Sequence, residues 1–135
     1  MGYVNTADIV GEEALEDGFI MRTLTEFCDD RIVKVRNDAF RQCKSMSFVD
    51  LPSVTDIGSA AFYECSALVT VIIRTESLCA LGSTSVFSGT PISSGDGFVY
   101  VPAALVSAYK TATNWSAIAD QIRAIEDYPE ITGGV

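Results

Sequence analysis

A repeat of 22 residues is the feature of this sequence that most limits the folds open to it. Seven pairs of apolar or cysteine residues recur at that spacing: Val35 and Ile57, Ala39 and Ala61, Phe40 and Phe62, Cys43 and Cys65, Met46 and Leu68, Val49 and Val71, and Leu51 and Ile73. One unit of this length cannot bury its apolar face alone, so units must stack with matching side chains in register. The repeat therefore predicts ladders of similar side chains along a stack.

Each unit divides into a strand half and a turn half. Residues 46–51 and 68–73 end in alternation, which is typical of a short strand with one buried face. The Ala-Phe pair with a cysteine three residues later favours a turn of helix that directs Phe and Cys inward. Pro52 follows the strand, where its missing N–H interrupts no ladder. The pattern predicts an α/β repeat, a short solenoid of β-strands with short helical turns.

The pattern weakens toward both ends of the chain. Leu81-Gly82 through Val86-Phe87 repeats the Ile-Gly…Ala-Phe element at a longer offset. Apolar residues from Phe19 to Ile32 indicate a degenerate first unit. Terminal units of a stack are atypical because one of their faces has no neighbour.

The C-terminal part predicts a strand followed by two helices. Residues 97–102 indicate a last strand that ends at Pro102, and residues 103–111 indicate a helix. Asn114 is predicted to cap a second helix. Its apolar stripe comprises Trp115, Ile118, Ala119, Ile122 and Ile125. We interpret the stripe as the surface that closes the stack.

The repeat also carries a resemblance to a known family. Residues 46–65 read Met-Ser-Phe-Val-Asp-Leu-Pro-Ser-Val-Thr-Asp-Ile-Gly-Ser-Ala-Ala-Phe-Tyr-Glu-Cys. They resemble the BspA-type leucine-rich repeat pattern L-x-x-I-x-L-P-x-x-V-x-x-I-G-x-x-A-F-x-x-C, over about residues 24–92, with a departure at Arg36 in the Gly58 position. The stretch from Tyr100 to Ser116 is similar to the tail after such repeats in proteins of gut bacteria and their phages. The resemblance implies a protein-interaction or adhesion module.

We predict a single domain over residues 1–135, because no segment has the composition of a linker. A degenerate N-terminal unit or cap is expected at 1–34 and the leucine-rich repeats at 35–96. The final strand and helical cap follow at 97–127, and 128–135 is expected to be a loose tail.

The composition argues against several classes of function. The 135 residues include no histidine, which excludes Ser-His-Asp and Cys-His catalytic sets and zinc sites with His ligands. The net charge of −9 disfavours nucleic acid as a partner. No apolar run approaches the roughly 18 residues of a membrane span, and the first residues lack the pattern of a secretory signal. We expect no enzyme, no cofactor and no metal site, and no insertion into a membrane.

The four cysteines, at positions 28, 43, 65 and 79, show no CxxC spacing. Cys43 and Cys65 occupy equivalent repeat positions, where a small apolar side chain suits the core. We therefore expect them to be structural thiols.

Strand alternation predicts one surface of functional interest. If Val49, Leu51, Val71 and Ile73 point inward, the residues that point outward are Phe48, Asp50, Thr70, Ile72 and Arg74. Phe48 and Ile72 are then apolar residues on a face that meets water, which indicates a contact patch for a partner or for self-association.

Two hypotheses of function follow from these features. The first is a non-enzymatic module in a phage virion, as a tail or fibre component, or in a surface adhesion protein, and such a component is expected to be a homo-oligomer located on the virion or cell surface. The alternative is an intracellular, cytoplasmic interaction protein that binds a host or defence protein through the strand face.

Overall fold

The computed structural model of the chain describes residues 9–10 and 25–133. The strands are β1 (Ile9–Val10), β2 (Glu26–Cys28), β3 (Lys34–Val35), β4 (Phe48–Leu51), β5 (Asp56–Ile57), β6 (Thr70–Ile73), β7 (Ala80–Leu81), β8 (Phe98–Val101) and β9 (Ile122–Ala124). The α-helices are α1 (Pro91–Ser94), α2 (Val106–Thr111) and α3 (Pro129–Thr132), and 3-10 helices occupy Ala103–Leu105, Trp115–Gln121 and Ile125–Asp127. Most of the predicted first unit, residues 1–8 and 11–24, lies outside the described residues.

The strands form two parallel sheets. The narrow sheet has the order β1-β3-β5-β7, and the main sheet has the order β2-β4-β6-β8-β9. Paired residues in neighbouring repeats are 22 apart, as in Lys34 with Asp56 and Phe48 with Thr70. The predicted α/β repeat is therefore confirmed at the level of parallel strands, short helices and register.

A ladder of aromatic rings runs through the core. Phe40, Phe62 and Phe87 stack almost parallel, with ring centroids 5.4 and 5.8 Å apart. Phe27 and Trp115 extend the ladder at its two ends, at 5.0 and 6.1 Å. Offset aromatic pairs at this spacing stabilise a core by roughly 1 kcal/mol each beyond the burial of their area.

The turn half of each unit is a series of turns rather than the predicted turn of helix. Asp38 and Gln42 have left-handed backbones, as do Ala60 and Glu64, their equivalents one unit later. Alternate amides consequently point in different directions. The amides that donate to the next unit belong to Asp38, Phe40 and Gln42, and those that donate three residues back belong to Ala39, Arg41 and Cys43. A helix would direct every amide along its own axis, so it could not bond to the neighbouring unit.

The two equivalent cysteines lie in the core, as predicted. Cys43 and Cys65 are buried free thiols, and the Cys65 thiol donates to the Phe40 carbonyl at 2.9 Å. Its hydrogen bond with Cys43 and its burial raise the pKa of the Cys65 thiol. The Cys65 side chain therefore fills space in the stack as a protonated group.

The C-terminal part departs from the predicted pair of helices. The first helix is short, a 3-10 turn followed by α2, and the second is a 3-10 helix that ends at Gln121. Ile122, which we expected in that helix, begins β9 and pairs with Val99 of β8. A parallel strand buries alternate residues, so the apolar stripe there serves a sheet instead of a helix.

Side chains of this C-terminal part satisfy the open edge of the narrow sheet. The Tyr109 hydroxyl accepts from the Cys79 amide at 2.7 Å, and the Trp115 indole donates to the Cys79 carbonyl at 2.7 Å. The Asn114 side chain donates to the Leu81 carbonyl at 2.6 Å, so it closes a strand and does not cap a helix. Three side chains thus replace the strand that a further unit would supply.

Gly58 marks the closest approach of two stacked units. A Cβ atom added there would lie 2.5 Å from the Asn37 amide nitrogen and 2.8 Å from the Arg36 carbonyl carbon. The glycine is therefore required by the packing of backbone on backbone, and Gly82 stands in the same position one unit later, against Ser59.

We expect Gly58→Ala to lower the free energy of unfolding by about 2 kcal/mol, because the units must move apart to admit the methyl group. Arg36→Ala is the matched control, since Arg36 occupies the equivalent position one unit earlier and is exposed. Urea unfolding followed by circular dichroism measures both variants. Equal stabilities for the two variants would contradict the close approach.

We expect Tyr109→Phe to destabilise the protein by about 2 kcal/mol, because the buried Cys79 amide loses its acceptor. Tyr63→Phe, at a half-buried tyrosine in the turn half, should change stability by less than about 0.5 kcal/mol. Thermal unfolding of the two variants tests this difference, and a Tyr109→Phe protein as stable as the wild type would refute it.

Candidate interaction surface

The outer surface of the main sheet, called the strand face below, is where the sequence places a contact patch. The strand register arranges its outward side chains in two rows. The front row contains Glu26, Phe48, Thr70 and Phe98. The rear row contains Cys28, Asp50, Ile72, Tyr100 and Arg123. The inward residues Val49, Leu51, Val71 and Ile73 lie in the main core, whereas Ile72 lies in a separate cluster on the other side of the sheet, so the predicted alternation is confirmed for these positions.

The front row is the part of the strand face that remains partly open. Phe48 and Phe98 are half-buried, and Thr70 lies between them with little exposure. The two rings are separated by two strand spacings, roughly 10 Å. The Arg123 guanidinium lies 3.4 Å from the centroid of the Phe98 ring, and the exposed Glu26 lies at the opposite end. The row therefore presents apolar area between a cation and an anion.

The rear row is covered at Ile72 and Tyr100, and the prediction that Ile72 meets water is wrong. Ile72 is 0 % exposed and Tyr100 is 2 % exposed. They form a small apolar cluster with Ile125, separate from the main core, and Phe48, Phe98 and Tyr128 pack against it. The cover comes from the end of the chain, so a local pattern around Ile72 does not reveal it.

Residues 125–133, called the C-terminal segment below, provide this cover. The Tyr128 ring meets the Tyr100 ring edge-on at 5.5 Å, and the Thr132 hydroxyl donates to the Ile125 carbonyl at 3.1 Å. The segment up to residue 133 is therefore packed and not the loose tail expected from the sequence. Two residues of the sequence mark the ends of α3. Proline is common at the first position of a helix, as at Pro129, and glycine is common just after its last residue, where the backbone is left-handed, as at Gly133.

Asp50 and Arg74, two of the residues predicted to point outward on the strand face, bind each other. The Arg74 Nε lies 3.1 Å from one Asp50 carboxylate oxygen, and a terminal nitrogen of Arg74 lies 3.0 Å from the other. The same guanidinium donates to the Thr132 carbonyl. Such a two-pronged pair at a partly buried site has a fixed geometry. Arg74 therefore links the strand face to the C-terminal segment.

A cavity of about 410 Å³ opens beside the start of the strand face. It is lined by Cys28, Asp29, Asp30, Arg31, Asp50 and Pro52. The Arg31 hydrogen bond lowers the pKa of Asp29, and burial, with the Asp50 charge, raises the pKa of the Cys28 thiol. A thiol held protonated is a poor nucleophile. Within residues 9–10 and 25–133, no group of three or more His, Cys, Asp or Glu side chains could hold a metal ion.

Burial also raises the pKa of Tyr100, which lies beneath the C-terminal segment. The ring of its neighbour Tyr128 lies 4.9 Å from the Arg123 guanidinium, which Phe98 contacts from another side. Tyr128 is thus held by an aromatic ring and a cation together.

In the part of the chain that the structure describes, no helix has the length and apolar character to cross a membrane.

Comparison with known protein families gives a match over the repeat region. A family model described as the BspA type leucine rich repeat region matches residues 19–96 with six copies of the repeat. The match covers more than half of the chain and includes β2 through α1. No curated protein and no solved structure matches the chain.

We expect Ile72→Ala to destabilise the protein by about 3 kcal/mol, as a fully buried isoleucine does when truncated. Phe48→Ala, in the half-buried front row, should lose about 1 kcal/mol because less apolar area leaves contact with protein. Urea unfolding of both variants measures the difference. If Ile72→Ala cost no more than Phe48→Ala, the covering of the rear row would be disproved.

Proposed function

Because the chain belongs to the BspA-type leucine-rich repeat family, we propose that it is a non-enzymatic protein-interaction module, a short solenoid that binds through its strand face. The observation that carries this proposal is the front row. Phe48 and Phe98 retain partial exposure on a parallel sheet whose inner side is fully buried. Aromatic residues of this kind contribute strongly to protein interfaces.

The chemistry of the strand face supports binding more than catalysis. Its one close charge pair, among the described residues, is Asp50 with Arg74, and that pair is engaged in holding the C-terminal segment. The sequence has no histidine to act as a general base near neutral pH. Asp50 and Arg74 then act at the margin of the interface, where they maintain the shape of the face.

We propose a phage virion component, of a tail or fibre, or a surface adhesion protein as the biological setting, with the protein located on the virion or cell surface. The similarity of residues 100–116 to the tails of repeat proteins from gut bacteria and their phages supports this setting. Virion and adhesion assemblies are built from repeated copies, so the front row is proposed to join copies of this chain.

The experiment is the oligomeric state of the full chain and two variants, measured by light scattering after size exclusion. We expect the wild type to be an oligomer and Phe48→Asp to be a monomer, because a charge in an apolar interface is strongly unfavourable. Leu78→Asp is the matched control, since Leu78 is 45 % exposed and lies outside the strand face. It should assemble as the wild type does.

A monomeric wild type at every concentration would exclude the homo-oligomer. The alternative setting, a cytoplasmic module that binds a host or defence protein, is then tested by the same variants against proteins captured from host cells. If Phe48→Asp captures the same partner as the wild type, binding through the strand face is wrong as well.

A further inference from the structure

The C-terminal segment lies on the rear row in the way that a bound peptide would. Ile125 packs in the cluster with Ile72, and the Tyr128 ring stands edge-on against Tyr100. At its far end, the Thr132 carbonyl accepts from Arg74. The strand face thus contacts three groups of the segment separately. They are an aliphatic side chain, an aromatic ring three residues later and a backbone carbonyl four residues beyond the ring.

The segment has little internal structure that would be stable without the face. Its helix α3 contains four residues, far fewer than an isolated helix needs to persist in water. Glu130 and Ile131 on that helix are exposed. The docked conformation therefore depends on the contacts of Ile125, Tyr128 and Thr132 with the strand face and with each other.

We infer that the rear row is a docking site for a protein segment that has an aliphatic residue and, three positions later, an aromatic residue. The backbone carbonyl four positions beyond the aromatic residue accepts a hydrogen bond from Arg74. In the free protein the C-terminal segment fills this site within its own chain. A partner protein with a segment of the same pattern displaces it because the partner also contacts the front row, which the attached segment leaves partly open. This inference rests on the proposed function in that both use the strand face. The proposed function places a second copy of the chain on the front row, whereas this inference places a protein segment on the rear row.

Covalent attachment explains why the site is closed in the free protein. A segment joined to its site by a few residues acts at an effective concentration on the order of millimolar. A separate peptide at micromolar concentration cannot compete with it, even when the peptide carries the same contacts. Weakening the attached segment should therefore open the site to the peptide.

The experiment uses the full-length chain and a labelled synthetic peptide of residues 124–133, Ala-Ile-Glu-Asp-Tyr-Pro-Glu-Ile-Thr-Gly. Fluorescence anisotropy measures its binding to the wild type and to Tyr128→Ala. We expect the variant to bind the peptide at least about tenfold more tightly, because the attached competitor has lost its aromatic contact. A peptide in which the tyrosine is replaced by alanine should not bind to either protein.

Tyr63→Ala is the matched control, because Tyr63 is a half-buried tyrosine of the turn half whose ring lies 4.9 Å from the Arg41 guanidinium. It should bind the peptide as weakly as the wild type does. Thr132→Val is a second opening variant, in which the hydroxyl bonds to the Ile125 and Tyr128 carbonyls are lost at nearly constant volume. It keeps the test decisive if Tyr128→Ala does not fold.

Hydrogen exchange of residues 128–133 shows whether the segment has been released in each variant. If exchange rises and the peptide still binds no more tightly than to the wild type, the rear row is not a docking site. If the wild type binds the peptide as tightly as the variants do, the segment does not occlude the site. Either result overturns the inference and leaves the association through Phe48 to be judged by its own experiment.

Discussion

The alternation of backbone hydrogen bonds in the turn half is the interaction on which the rest of this structure depends. Amides at Asp38, Phe40 and Gln42 donate to carbonyls of the next unit, at Ser59, Ala61 and Tyr63. Buried amides must be paired, so these bonds require each turn to lie directly over its neighbour. The unit length is therefore held at 22 residues where the units are regular. The same bonds fix the distance between stacked units, and that distance leaves no room for a side chain at Gly58.

The same requirement explains the composition of the C-terminal part. A stack of parallel strands ends with a strand whose amides and carbonyls have no further unit to bind. In the narrow sheet, the groups around β7 are met by Tyr109, Asn114 and Trp115. In the main sheet, β9 pairs with β8 and extends the sheet by one strand beyond the repeats. The narrow sheet is thus closed by side chains, whereas the main sheet is lengthened by a strand of the C-terminal part.

The predictable part of the fold is the part that repeats. A position that recurs every 22 residues reveals its own burial, because the same environment selects the same side chain, as at Phe40 and Phe62. The left-handed backbone at Ala60 has no such signal, since alanine does not favour that conformation and the neighbouring unit imposes it. The strand at Ile122 was missed because its three residues are too few to show alternation, so Ile122 is read as part of the helical stripe that begins at Trp115. Burial of Ile72 depends on Ile125, more than fifty residues later, and no local pattern encodes it.

The uneven cover of the strand face decides which part of it can bind. Along the rear row, exposure falls from Cys28 through the half-buried Asp50 to the fully buried Ile72. Parallel sheets are normally covered on both faces, and here the chain itself covers the half nearest to β8. Among residues 9–10 and 25–133, the half left uncovered lies near β2 and β4, where Phe48 is the large apolar side chain next to Glu26 in the front row. The partner proposed for the strand face would therefore meet Phe48 first, from the β2 side. A partner that docks on the rear row, as proposed, must replace Ile125 and Tyr128, so its affinity includes the cost of releasing the C-terminal segment, whereas a partner that binds only Phe48 does not bear this cost.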